Sequence, residues 1–122
     1  MSQEEKELLL KDLCARLPYD VKVNCNDKAY NFAGIHSFNI CILSDDNEDN
    51  AFTTAGIKYI KPYLFPLSSM TEEQREEYHK LLYDPENGIN IDYFDWCHKN
   101  HFDCRGLIPM GLAIDATGLN IY

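Results

Sequence analysis

The sequence predicts an α+β fold: a small curled antiparallel sheet, able to close as an SH3-like barrel, with an N-terminal helix and two C-terminal helices. Three observations lead there. Residues 3–16 carry helical periodicity behind a capping box, residues 19–60 alternate in short period-two runs, and residues 71–100 return to helical patterning with aromatic faces. A chain of 122 residues is the size of one domain. The expected division is a helix plus antiparallel meander in 1–66 and a helical part in 71–122 packed on it.

Ser2 and Glu5 have capping-box spacing, and Leu10, Leu13, Cys14 and Leu17 then fall at i, i+3, i+4 and i+7, predicting a first helix over 3–16 that Pro18 ends. Tyr19, Val21, Val23 and Cys25 alternate with polar residues, the pattern of a strand with one wet face. Asn26-Asp27 suits a tight turn into a second strand over 28–35, where Gly34 permits a bulge. Phe38, Ile40 and Ile42 continue the period on a third strand. The run 44–50 offers nothing apolar to bury. Its Asp45, Asp46, Glu48 and Asp49 lack the glycine and closing glutamate of a calcium loop, so a solvated loop is expected.

Residues 51–54 and 56–60 supply further short strands, and Pro62 and Pro66 mark a stiff connector. Thr71 and Gln74 form a second capping box for a helix over 72–83, with Tyr78, Leu81 and Leu82 on its apolar stripe. After Pro85 and Gly88, Asn90 can cap a third helix over 91–100, and residues 112–114 suit a last strand. The later helices are expected to pack through Tyr78, Leu81, Phe94 and Trp96.

Composition narrows function. Acids outnumber bases 20 to 11, a formal net charge of −9, which repels polyanions and argues against direct nucleic-acid binding. Five cysteines scattered among apolar neighbours read as reduced thiols. The acidic start and the lack of a long apolar run point to a cytoplasmic protein with no membrane partner. P-loop, GxGxxG, Gly-x-Ser-x-Gly and His-Glu-x-x-His motifs are absent, so no enzyme template is met.

The segment 92–111 concentrates the chemistry. Cys97, His98, His101 and Cys104 are zinc-ligand types, but His98 points about 100° around a helix from Cys97, and no CxxC pair is present. Neither metal nor cofactor is expected. A nucleophile reading takes Cys97 or Cys104 as thiolate, His98 or His101 as base and Asp95 or Asp103 as orienter. A binding reading takes His101 and Arg105 as donors to an anion, with Tyr93, Trp96 or Phe102 stacking on a ring. A purely architectural reading has Asp103 paired with Arg105 to fix the turn at Gly106, over a core closed by Trp96. The candidate binding residues are therefore Tyr93, Trp96, His101, Phe102, Asp103 and Arg105, with no catalytic residue assigned.

Several strings resemble a family of small uncharacterised proteins of Bacteroidales phages and prophages: Lys11-Asp-Leu-Cys-Ala-Arg-Leu-Pro-Tyr19, Ile60-Lys-Pro-Tyr-Leu64, Pro66-Leu-Ser-Ser-Met-Thr-Glu-Glu73, and Phe102-Asp103 with Arg105-Gly-Leu-Ile108 and Gly111-Leu-Ala113. The resemblance spans about half the chain and carries no established activity. Cys97 and Cys104 depart from its pattern, which has Leu and Tyr there. It implies a non-enzymatic accessory protein that engages a host or phage protein. Two alternatives are an oligomeric protein sequestering an anionic small molecule such as a nucleotide, and an acidic nucleic-acid mimic.

Overall fold

The computed structural model describes residues 1–37, 39–45, 51–82 and 92–122. The expected roles of Phe38, of residues 46–50 and of the break at Pro85, Gly88 and Asn90 lie outside them. The architecture is α+β, as the sequence predicts. Helix α1 (Gln3–Arg16) precedes strands β1 (Lys22–Cys25), β2 (Lys28–Ser37), β3 (Ile40–Ser44), β4 (Phe52–Gly56) and β5 (Ile60–Leu64), followed by α2 (Glu72–Leu82), α3 (Asp92–Lys99) and β6 (Ile114–Asp115). The sheet order is β4-β3-β2-β1-β5-β6, antiparallel except for the parallel β5–β6 pair. Strands β4 and β6 are its two edges, so no closed barrel forms among the described residues.

Helix α1 begins as expected: Glu5 N donates to Ser2 Oγ at 3.1 Å and Ser2 N to Glu5 Oε1 at 3.0 Å. Its buried face, however, is not the expected one. Leu9, Asp12, Leu13 and Arg16 are buried, whereas Cys14 and Leu17 are exposed. The spacing is again i, i+3, i+4 and i+7, rotated by one residue, and it places two charged side chains in the interior. Burial of Leu9 and Leu13 contributes about 1.5–3 kcal/mol each, and that driving force sets the rotation that takes Asp12 and Arg16 inward.

The β1–β2 hairpin turns at Asn26 and Asp27, both left-handed with φ of 53° and 62°, the geometry that matches strand twist in a two-residue loop. A register shift between Phe32 and Gly34 in the β2–β3 ladder is the bulge expected at Gly34, where φ is 149°. Residues 61–64 correct the expectation of a connector, because they are β5, paired with β1 on one side and β6 on the other. Pro62 is tolerated there because β6 is two residues long and pairs only with Tyr63 and Leu64. Residues 57–59 form a turn of 3₁₀ helix instead of a strand. The last strand falls at Ile114–Asp115, while Leu112 and Ala113 join the core.

Among the described residues, two apolar clusters result. Leu9 and Leu13 pack on Val21, Val23, Phe32, Leu43, Ile60 and Leu64 of the sheet, sealed by Leu107 and Leu112. The second is built from Met70, Tyr93, Cys97 and Phe102, with Phe65, Tyr78, Leu81 and Trp96 around them. Helix α2 starts on its capping box, Gln74 N donating to Thr71 Oγ1 and Thr71 N to Gln74 Oε1. Phe94 departs from its expected core position and is 42% exposed. None of the helices among the described residues is long and apolar enough to cross a membrane.

Candidate functional site

The charged face of α1 meets the C-terminal end of α3 and the turn after it. Asp12 is the hub. Its Oδ2 accepts from Arg16 Nε at 2.8 Å, and its Oδ1 accepts from Arg16 Nη2 at 3.1 Å and from Arg105 Nη1 at 2.7 Å. Asp12 and Arg16 are fully buried. Arg16 Nη2 also donates to Phe102 O at 2.6 Å, tying α1 to the chain beyond α3. One carboxylate thus faces two guanidinium groups, leaving a surplus of positive charge in a poorly solvated place.

Cys104 sits in that surplus. Arg16 Nη2 lies 3.9 Å and Arg105 Nη1 3.7 Å from its Sγ. The Cys97 thiol hydrogen-bonds to the Cys104 sulfur, and this pulls the Cys104 thiol down to about 5; burial opposes it, and His98, Arg16 and Arg105 add to it. Cys97 moves up, chiefly because it is the hydrogen-bond donor to Cys104 and secondarily through burial. The pair shares one proton, and position decides who keeps it. Cys97 is fully buried, whereas Cys104 is partly open and lies beside both guanidiniums. Both shifts run in the direction that takes the proton from Cys104 before Cys97.

His98, 5% exposed, lies with Nε2 at 2.8 Å from Arg105 Nη1. A guanidinium only donates, so Nε2 is the acceptor and the ring proton sits on Nδ1. Asp12, His98 and Cys104 bring an oxygen, a nitrogen and a sulfur within 4.8 Å of one another, a set with metal-ligand character. The guanidinium of Arg105 occupies the cation position among them, bonding to both Asp12 and His98. These residues do not fit a metal. The four zinc-ligand types weighed and set aside from the sequence do not converge either, since His101 stacks on Tyr122, centroids 3.7 Å apart.

The sulfur and Arg105 open onto a cleft of about 500 Å³ lined by Leu8, Lys11, Phe94, Cys104 and Arg105. Phe94 forms a wall, with the Arg105 guanidinium 5.5 Å from its ring centroid. Lys11 is exposed at the rim.

The sequence-derived candidates are distributed over three places. Arg105 is in this cleft. Tyr93 and Phe102 are buried in the second apolar cluster, where Tyr93 meets Tyr78 edge-on. Trp96 stacks on Phe102 at 5.5 Å and donates from Nε1 to Glu77 Oε2 at 3.0 Å. Asp103, 5% exposed, accepts from the backbone N–H groups of Leu107 and Ile108, both at 2.8 Å, and so shapes the turn that presents Arg105. It does this without pairing with Arg105, which bonds to Asp12. Gly106 supplies the left-handed residue of the turn, φ 73°. His101 faces a separate cleft with Tyr19, Asp20, Lys22 and Tyr122, and burial pushes its imidazole down to about 4.

Of the nucleophile reading, Cys104 and His98 do come together, but Asp95 accepts from the Tyr19 hydroxyl and Asp103 is spent on the turn. The carboxylate present is Asp12. It reaches the imidazole only through Arg105, so the arrangement supports a charged sulfur and does not form a relay for proton abstraction. Asp12, Arg16, Lys11, Leu8 and Phe94 were not among the candidates. The Asp12–Arg16 spacing of four on the same stripe as Leu9 and Leu13 was the available signal.

The fold and this cluster define an α+β protein with a cationic, thiol-bearing cleft between its first helix and its third. A scan against protein-family models finds no match, and searches of curated proteins and of solved structures find none either.

Proposed function

We propose that the protein is a non-enzymatic binding protein whose cleft between α1 and α3 takes a small anionic ligand with a flat ring. Arg105 carries this reading. Its bonds to Asp12, His98 and Cys104 all run through Nη1, leaving Nε and Nη2 for a phosphate or carboxylate, and its side chain is locked in place. Lys11 adds a second cation at the rim, and Phe94 offers a ring face beside both. Three cations against one carboxylate and one thiolate leave local positive charge in a chain whose formal net charge is −9. A cleft of about 500 Å³ suits a ligand of nucleotide size. In the phage or prophage setting that its motifs suggest, such a cleft would sequester a small host-cell anion.

Melting curves with nucleoside 5′-monophosphates and with the matching nucleosides test this. At about 100 times Kd a ligand stabilises by about 2.7 kcal/mol, so the melting temperature should rise with a monophosphate and stay unchanged with its nucleoside. Lys11→Glu and Phe94→Ala alter exposed side chains and should each weaken binding about tenfold or more, which is about 1.4 kcal/mol. A melting temperature indifferent to every monophosphate, or raised equally in both variants, contradicts the proposal.

A further inference from the structure

Cys97 and Cys104 together form a second kind of site within the same cluster, independent of whether the cleft holds an anion. Cys104 packs against the buried cluster that contains Cys97, both are free thiols, and they differ in access: Cys97 is fully buried and Cys104 lines the cleft. The backbone holds them in register, because Phe102 N donates to Cys97 O at 2.8 Å and brings the chain back over the end of α3. Two guanidinium groups and the His98 ring surround the part-buried Cys104 sulfur, surroundings that favour an anionic, nucleophilic sulfur.

We propose that Cys104 and Cys97 are a redox-active dithiol, in which a small hydroperoxide entering the cleft oxidises Cys104 and Cys97 resolves it to an intramolecular disulfide. The chemistry balances in two steps. The Cys104 thiolate attacks the terminal oxygen of the hydroperoxide, the O–O bond breaks, and the departing alkoxide or hydroxide takes a proton from water to leave as an alcohol or water. Cys104 is then a sulfenic acid. The Cys97 sulfur attacks the Cys104 sulfur, the S–O bond breaks, and the hydroxyl leaves as water with the proton from Cys97. Two thiols are oxidised by two electrons and one peroxide is reduced. Arg16 and Arg105 assist the first step by holding the thiolate and by donating to the leaving oxygen.

The other cysteines serve as internal controls. Cys25 and Cys41 are buried in the sheet core, and burial pushes the Cys41 thiol up to about 12. Cys14 is exposed on α1 and does not line the cleft.

The full-length protein treated with about one equivalent of hydrogen peroxide at neutral pH, alkylated and digested with trypsin without reduction, gives a direct readout. Trypsin cuts after Lys80, Lys99 and Arg105, so the predicted product is peptide 81–99 joined to peptide 100–105, and dithiothreitol should separate them. Cys97→Ala cannot resolve, so dimedone should trap a sulfenic acid on Cys104 in that variant. Oxidation that falls first on Cys14, or a cross-linked peptide pair other than 81–99 with 100–105, overturns the proposal. So does a Cys104 that neither cross-links in the wild type nor takes dimedone in the variant.

Discussion

Asp12→Ala should destabilise the protein by about 3–5 kcal/mol, the cost of leaving a buried charge without its partner. Asp12 is bonded to two guanidinium groups, one of them on a fully buried arginine. Removing it leaves Arg16 with the Phe102 carbonyl and the Cys104 sulfur as its remaining acceptors, and its Nη1 is already buried without a partner. Against a total stability of about 5–15 kcal/mol for a domain, the loss is large. Urea denaturation should show a lower midpoint at an unchanged slope. Combining Asp12→Ala with Arg16→Met removes the stranded charge as well, so the double variant should recover much of the loss. A single-variant cost below about 1 kcal/mol, as for an exposed pair, contradicts the burial argument.

Asp103→Ala should cost about 2–6 kcal/mol, because two backbone N–H groups lose their acceptor in one substitution and each unsatisfied buried group costs about 1–3 kcal/mol. Leu107 N and Ile108 N both point at this carboxylate, and Leu107 is fully buried. Asp103→Asn presents one carbonyl oxygen and retains at most one of the two bonds. The turn also presents Arg105, so the same variants should weaken the ligand response of the cleft. Amide exchange at Leu107 and Ile108 checks the cause: protection should fall there first, before the β1–β2 hairpin is affected.

What the sequence made legible was local. Capping boxes at Ser2 and Thr71, the left-handed Asn26-Asp27 turn and the bulge at Gly34 each follow from chemistry within a few residues, and each is found where expected. What failed needed tertiary context. An apolar-periodicity reading of α1 treats Asp12 and Arg16 as wet, and so selects the wrong stripe; only the partners at residues 102–105 make their burial tolerable. Pro62 read as a breaker because its strand neighbour β6, from the far end of the chain, is too short to require its missing N–H. The aromatic crowding at 92–102 was visible, but nothing local separates Tyr93 and Phe102, which are core, from Phe94, which faces a cleft. The site joins residues 8–16 to residues 94–105, and its logic lies in the charge balance between them.

That charge balance is most directly measured by the alkylation rate of Cys104 as a function of pH, read by mass spectrometry against the other four cysteines in the same sample. The account predicts a rate that climbs through a midpoint near 5 and is already flat at neutral pH, with Cys97 silent throughout. A Cys104 that reacts no faster than Cys14 and keeps climbing to about pH 8.5, the value of an unperturbed thiol, would contradict it.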